Sequence, residues 1–475
     1  MTFVDDAIFI ITVIVVMLGA VQYGTYLGQV IIAWQHVMEN PAERRAERLW
    51  DRYADIAPRI SLLVPAHNEE AGIVTSVRSM LSLSYPNFEI IVINDGSSDG
   101  TAEALISAFS MAPSSRGSSG VIPHAPVISV FEADNAPLIL VNKENGGKAD
   151  ALNTGVSVCD SPLFTALDAD SVLAPDALMR AVEPFVLSPS EVIATGGSVR
   201  VANGCVIRDG KVVRRGVPLN LLALFQMVEY VRAFVLARIA WSRLGALTIV
   251  SGAFGVFSRE RVLTVGGYLR GAMGEDLDLV VRLRRRAMDE GRDHTVVFVP
   301  EAICWTEVPE SFRVLGNQRS RWQQGALEAW WANASMTMNP RYGRVGVLAM
   351  TYSLIADVLG PIAEVLGYAI FLWFLLTGRL SVEYFVAITA FVFSYGLMIS
   401  VSSLVVEAVR DPFYLRKRDL VVLTLVAIVE NFGYRQACNL WRVRGWWRYL
   451  RRERRWGHMR RKGLERHGAA RLRGG

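Results

Sequence analysis

The hydrophobic pattern changes character twice along the chain. Residues 7–33 are almost continuously apolar, with Thr12, Gln22, Thr25 and Gln29 as the clear polar breaks. At 27 residues the run exceeds the roughly 20 that a helix needs to cross a bilayer, which predicts a tilted transmembrane helix. A cleaved signal peptide fits less well, because Asp5 and Asp6 stand where a basic leader should be and the run is too long. Glu43-Arg44-Arg45-Ala46-Glu47-Arg48 then predicts a charged juxtamembrane helix. Acids before the span and bases after it place the next domain in the cytoplasm.

From Arg59 the period shortens and short apolar runs alternate with helical spacing. Strands are predicted at 60–64 ending at Pro65, at 89–93 ending at Asn94-Asp95-Gly96, at 138–141, and at 163–167 running into Asp168. Helices are predicted at 74–83, 101–109 and 149–158. Strand, polar loop and helix in repetition specify an α/β domain with a mostly parallel, doubly wound sheet. Ligands of such sheets sit beyond the carboxyl ends of the strands, where Asp95 and Asp168 fall. The Ser- and Gly-rich stretch 113–126 reads as a floppy surface loop.

A second apolar regime follows. Residues 219–247 predict a long amphipathic helix, but Arg232, Arg238 and Arg243 make a crossing too costly. It is expected to lie in the membrane plane or against the domain. Residues 262–268 lead to Gly274-Glu275-Asp276, and 277–286 predict a helix with one basic face. Beyond Gln318 two segments can cross: 345–376, interrupted by Asp357, Pro361 and Glu364, and 382–409. The interruptions predict a kink or an interfacial first half. Arg410, Arg416, Lys417 and Arg418 mark a cytoplasmic return. Residues 420–429 are too few to span and read as interfacial or re-entrant. The expectation is three spans, divided as a transmembrane helix at 1–40, a cytosolic domain at 41–325, transmembrane and interfacial helices at 326–440, and a basic tail at 441–475.

Composition agrees with this division. The 475 residues are 52% hydrophobic with a mean hydropathy of +0.28, which suits a soluble domain joined to a few spans. The net charge of +5 conceals an asymmetry: residues 441–475 carry thirteen Arg or Lys against two Glu, so the tail is +11 and the rest −6. With Trp446, Trp447 and Trp456 beside those bases, an anionic lipid surface is the expected partner rather than nucleic acid. Four dispersed cysteines without a C-x-x-C pair point to reduced thiols, with no zinc site and no disulfide framework.

The chemistry lies in short polar motifs, each of which has a plain structural reading. Asp168-Ala169-Asp170 pairs hard oxygen ligands at a strand end, or is a pair of solvated loop acids. Lys148 follows two glycines and opens a helix, a ready phosphate site or an ordinary exposed lysine. Asp276 starts a helix, as a base or as a capping acid. Gln318-Arg319-Ser320-Arg321-Trp322 alone is equally an interfacial anchor, with Trp at headgroup depth and Arg on lipid phosphate.

Taken together and in order, Val64-Pro65-Ala66-His67-Asn68-Glu69, Asn94-Asp95-Gly96-Ser97, Gly147-Lys148-Ala149, Asp168-Ala169-Asp170, Gly274-Glu275-Asp276 and Gln318-x-x-Arg321-Trp322 resemble the motifs of family-2 inverting glycosyltransferases. The likeness covers roughly residues 59–325 and is closest to the membrane-embedded processive branch: poly-N-acetylglucosamine, chitin, hyaluronan and cellulose synthases. The resemblance implies a GT-A fold, Rossmann-like, fused to transmembrane and interfacial helices. It implies a UDP-sugar donor (UDP-N-acetylglucosamine or UDP-glucose), Mg²⁺ or Mn²⁺, and a glycan acceptor. By that likeness Asp168 and Asp170 hold the metal, Asp170 as the direct ligand, and Asp168 sits closer to the sugar and diphosphate. Asp95 contacts the uridine; Pro65, Asn68 and Glu69 form its loop, and Lys148 meets the phosphates. Asp276, following Glu275, is the general base. Arg321 contacts the departing diphosphate, Gln318 the donor or acceptor, and Trp322 stacks on the acceptor sugar. His67 reads as a loop residue near the nucleobase. Two departures stand out: Asn94 where some synthases have a second Asp, and Gly274 where the family often has Thr. A transferase acting once on a lipid acceptor is the alternative. Three spans make a polymer channel hard to build, which favours that alternative, an oligomer or an export partner. A transporter with a nucleotide-binding domain fits less well, because intramembrane charges are few and no inverted repeat is visible. No separate regulatory domain is read.

Overall fold

The computed structural model describes residues 3–39, 56–208, 210–292, 294–379 and 381–453. The juxtamembrane helix expected at 43–48, and the tail from 454 onwards with Trp456, lie outside the described residues. The chain divides into two compact units. Among the described residues, one comprises 56–219 and 247–308; the other comprises 3–39, 220–246 and 309–453. The 219–247 segment and the helix bearing Gln318, expected within the sheet domain, thus group with the apolar helices.

The first unit is built on β1 (Ile60–Ala66), β2 (Phe88–Asp95), β3 (Met111–Pro113), β4 (Val127–Ala133), β5 (Leu138–Lys143), β6 (Leu163–Leu167), β7 (Val172–Leu173), β8 (Val192–Val201), β9 (Val206–Arg208), β10 (Lys211–Arg214), β11 (Phe254–Ser258) and β12 (Thr295–Thr306). β9 and β10 form a separate hairpin; the others make one ten-stranded sheet in the order β3-β4-β5-β2-β1-β6-β11-β8-β12-β7. Strands β5, β2, β1 and β6 are parallel, as the apolar runs require. β11 runs antiparallel to both β6 and β8, so the sheet is mixed beyond that point. Strand order reverses at β1, from which β2 lies to one side and β6 to the other. That switch point opens a crevice at the carboxyl ends of the strands.

Ile60, Leu62 and Leu63, with Ile90 to Ile93, are fully buried on both faces of the sheet, the expected state of a parallel strand. The helix Lys148–Val158 packs on one face at Gly155, where an added Cβ would lie 3.0–3.1 Å from Leu63 and Ile93. Close approach there brings the start of that helix to the end of the sheet.

The stretch 113–126 is not a floppy loop. Pro113 closes β3; Arg116 donates to Glu89 at 3.2 Å and to the Val158 carbonyl at 3.2 Å, and the Ala125 amide donates to Asp150 at 3.0 Å. Its anchors come from distant segments, so its own composition does not reveal them.

Among the described residues of the helical unit, three helices are long and apolar enough to cross a membrane: Ile8–Glu39, Val345–Leu376 and Phe385–Arg410. Lys417–Val429 and Tyr434–Leu450, bent by 62°, would make a fourth if they act as one broken span. The interruption expected around Pro361 appears as π-helical turns at Val345–Met350 and Leu354–Leu359. Pro361 lacks an amide, and neighbouring side chains reach the carbonyls nearby. Gln323 donates to Asp357 O at 2.5 Å, Arg442 to Ala356 O at 2.7 Å and Trp446 to Val358 O at 2.9 Å. Satisfying such groups internally is what a non-aqueous setting demands.

The 219–247 segment is not one regular amphipathic helix. It consists of Leu221–Val231, a π-helical stretch Arg232–Arg238 and Ile239–Arg243. Arg232 pairs with the buried Glu430 at 2.5 Å and Ser400 at 2.6 Å, and Arg243 with Glu39 at 2.6 Å. Arg232 and Arg243, two of the three charges that argued against a crossing, are thus compensated inside this unit.

Candidate active site

The carboxyl ends of β1, β2 and β6 gather most of the residues singled out from the sequence. Pro65 lies within β1 rather than after it, still in register with Ile93 of β2 but beyond the end of the pairing with β6 at Leu63, a position at the ladder's end where a missing amide is tolerated. Asn68 has a positive φ of 58°, a conformation that asparagine adopts more readily than most residues. Its amide donates to Ser97 Oγ at 3.0 Å and its Oδ1 accepts from the Ser98 amide at 2.8 Å. The Glu69 amide donates to Thr101 Oγ1 at 3.0 Å. The loops after β1 and β2 are therefore stitched to each other. His67 Nδ1 sits 2.9 Å from the Asp95 carbonyl.

Asp95 ends β2 and is buried. Its carboxylate accepts from the amides of Gly146 at 2.9 Å and Gly147 at 2.8 Å, and meets Lys143 Nζ at 2.5 Å. Gly147 has φ +86°, left-handed geometry that glycine tolerates best. It delivers the chain into Lys148, the first residue of the helix.

Lys148 Nζ lies 2.6 Å from Asp168 Oδ1 and 3.7 Å from Glu275 Oε1. Burial alone would lower its pKa, but the charges of Asp168, then Glu275, and more weakly Asp276, outweigh that and raise it. One ammonium therefore draws two of the three acidic motifs together. Cys304, on β12, has its thiol pushed up to about 12 by burial, with the charges of Asp168 and Asp170 adding to the rise, so it is an inert neighbour rather than a nucleophile.

Glu275 and Asp276 open the helix Glu275–Asp289. Asp276 Oδ2 accepts from the Gly252 amide at 2.9 Å, in the loop before β11, and Oδ1 accepts from the Leu277 amide at 2.9 Å. Both contacts aim the carboxylate without neutralising it. The turn leading here is held from two sides. Asn153 exchanges two hydrogen bonds with the Tyr268 backbone, and Arg282 donates to the carbonyls of Val265 and Gly267 at 2.7 Å each. Burial, followed by the charges of Glu275 and Asp276, drives the pKa of Tyr268 upward and keeps its phenol neutral.

Asp168 and Asp170 flank one residue at the end of β6. Among the described residues no group of three or more His, Cys, Asp or Glu side chains is arranged to hold a metal ion. Two hard carboxylates do suit a Mg²⁺- or Mn²⁺-type cation whose other ligands are phosphates and waters. The donor set fits a shared site, not a protein-only cage.

Gln318, Arg321 and Trp322 belong to the helical unit, on the helix Phe312–Ala332. Spacings of three and four put them on one helix face. Trp322 is 40% exposed. Arg319, which the sequence did not single out, is buried: it pairs with Glu229 at 2.8 Å and stacks its guanidinium 4.5 Å from the Trp322 ring centre. Tyr434 donates to the same Glu229 oxygen at 2.9 Å. Lys143 and Asn153 also escaped the sequence reading, since a lone Lys or Asn carries no periodic signal.

Two family models match the chain, one described as glycosyl transferase family 2 over residues 61–120 and one as glycosyltransferase-like family 2 over residues 125–325. A poly-beta-1,6-N-acetyl-D-glucosamine synthase of Staphylococcus epidermidis is 30% identical over 269 residues, covering 57% of this chain and 55% of that protein. The synthase of the same name from Staphylococcus aureus strain COL is 28% identical over 282 residues, covering 59% and 58%. The matched part thus spans little more than half the length of these curated relatives. Among solved structures, a mannosyltransferase from Pyrobaculum calidifontis, in complex with GDP-Man and Mn²⁺, superposes with a TM-score of 0.53 at 18% identity, covering 93% of this chain and 99% of that one. At that identity the likeness speaks for the fold.

Proposed function

From the premise that the chain belongs to glycosyltransferase family 2 and carries a GT-A-like α/β fold with membrane-length helices, we propose that it is a membrane-bound polysaccharide synthase. It transfers a sugar from a UDP-sugar to the growing end of a β-linked glycan, with inversion at the anomeric carbon. The observation that carries this reading is the convergence of Lys148, Asp168 and Glu275 at the sheet's carboxyl end, with Asp276 aimed by Gly252 next to Glu275. The named relatives are poly-beta-1,6-N-acetyl-D-glucosamine synthases, and UDP-N-acetylglucosamine is accordingly the donor we favour over UDP-glucose.

In this reading the donor diphosphate lies at the start of the Lys148 helix, where a cation and backbone amides favour an anion. Asp95, Pro65, Asn68 and Glu69 shape the nucleoside side. The acceptor hydroxyl attacks the anomeric carbon as Asp276 takes its proton. The bond from that carbon to the diphosphate breaks on the opposite face, and its electron pair leaves with UDP. A divalent cation held by Asp168 and Asp170 would supply electrostatic stabilisation of the leaving diphosphate. Lys148 adds a fixed positive charge there. By family resemblance, Arg321 serves the departing diphosphate, Gln318 the donor or acceptor, and Trp322 the acceptor ring.

We place the enzyme in the cell membrane as a multi-pass protein with the sheet domain in the cytoplasm, from the charge bias around the first and last spans. The basic tail serves anionic lipid. Single addition to a lipid acceptor is the second reading, favoured by the small number of membrane-length helices among the described residues, three or at most four. Incubation of the protein in lipid with labelled UDP-N-acetylglucosamine and Mn²⁺ separates them. Long polymer supports the synthase, and one organic-soluble product supports the second reading.

A further inference from the structure

Lys143 ends β5 with its side chain wholly enclosed. Its ammonium has three partners: Asp95 Oδ1 at 2.5 Å, Asp150 Oδ1 at 2.8 Å and the Glu144 carbonyl at 2.6 Å. All three donor positions are thereby used. Enclosing an ammonium costs several kcal/mol unless it is paired this fully, so its place needs a reason. Strand pairing does not supply one. Asp95 and Lys143 are already register partners in the parallel β2–β5 ladder, and the surplus contacts run elsewhere. The Asp95 carboxylate reaches the Gly146 and Gly147 amides. Asp150, in the first turn of the Lys148 helix, lies so close under the loop that a Cβ on Gly146 would stand 2.5 Å from its carboxylate. Burial opposes the charge on that carboxylate, but Lys143, the Ala125 amide and Arg270, at 3.4 Å, outweigh it and lower its pKa.

We propose that Lys143 is a positioning residue for sugar-nucleotide binding. It locks Asp95 and Asp150 around the 144–147 loop, whose glycine amides are held by Asp95, and so fixes the start of the helix at Lys148, whose ammonium receives the diphosphate. Asp95 then acts on the donor through the loop, its carboxylate being turned inward. This deepens the donor reading above and rests on it.

Hydrogen exchange on the full-length protein in lipid nanodiscs tests the positioning itself, without any ligand. Lys143→Met is expected to speed exchange across 144–150 by about tenfold or more, with 88–93 and 138–142 unchanged, and Lys143→Arg to restore most of the protection. Unchanged exchange in 144–150, or equal loosening of the strands, would overturn the proposal. If Lys143→Met does not fold, Asp150→Asn carries the same expectation and the same overturning result. UDP titration with MnCl₂ forms the second arm, where Lys143→Met is expected to weaken UDP about tenfold and Lys143→Arg much less. A wild-type protein that binds no UDP while the loop responds would sink the donor reading and leave the positioning role standing.

Discussion

Asn153 holds the backbone of Tyr268 in both directions, donating to its carbonyl at 2.8 Å and accepting from its amide at 2.7 Å. The helix that begins at Lys148 is thus joined to the turn that leads to Asp276. Gly267 makes the junction possible: its φ is +75°, and an added Cβ would stand 2.5 Å from Asn153 Oδ1. Asn153→Leu leaves two buried backbone groups unpaired, each worth about 1–3 kcal/mol. A fall in melting temperature of several degrees is expected by thermal denaturation in detergent, along with reduced transfer. An unshifted midpoint would show that the junction is dispensable.

The pairing of Lys148 has a definite pH signature. Its folded pKa is raised by Asp168 and Glu275 against the opposing effect of burial, so its stabilisation is complete below the unfolded lysine value near 10.4. It is lost only as pH rises through the folded value. The difference in melting temperature between wild type and Lys148→Met should therefore stay constant from pH 6 to 9. A difference that varied across that range would assign the pairing to another titrating group.

Asp276→Asn keeps an oxygen to accept from Gly252 or Leu277 and removes only the basicity. Transfer should fall by roughly 10²–10⁴-fold, the usual worth of a general base, while UDP affinity by calorimetry stays within about twofold. Normal turnover would remove Asp276 from that role.

Trp322 offers an exposed indole whose orientation is set by the Arg319 guanidinium at 4.5 Å, itself anchored on Glu229. Trp322→Ala should shorten glycan products more than it slows donor hydrolysis. Arg319→Met should reproduce that bias in weaker form, by losing a stack worth about 0.5–2 kcal/mol. Product sizing alongside UDP release measures both. Equal loss of the two activities would speak against acceptor stacking.

Much of the sheet was legible because parallel strands buried on both faces leave continuous apolar runs, as at Leu163–Leu167 and Phe88–Asp95. The strands that escaped lack that signal. β8 contains Gly196-Gly197, and a Cβ on Gly197 would stand 2.3 Å from the Phe254 ring; glycine there serves close packing, not a turn. β4 is half exposed along its length and lies next to the edge strand β3, so its pattern is weak. The acidic motifs were legible because each sits at a strand or helix boundary, where the apolar pattern breaks. Lys143 was not, since its partners Asp95 and Asp150 lie on other elements and only the fold brings them to it. Likewise the cost that argued against burying Arg232 is met by Glu430, 198 residues away.

As proposed above, this chain builds a polymer from a UDP-sugar. The direct measurement is the size of the labelled product made by the purified protein in lipid from UDP-N-acetylglucosamine with Mn²⁺. Glycan of many residues is expected, absent with Asp276→Asn and with chelator. Incorporation of a single sugar, or of none from any UDP-sugar, would contradict it.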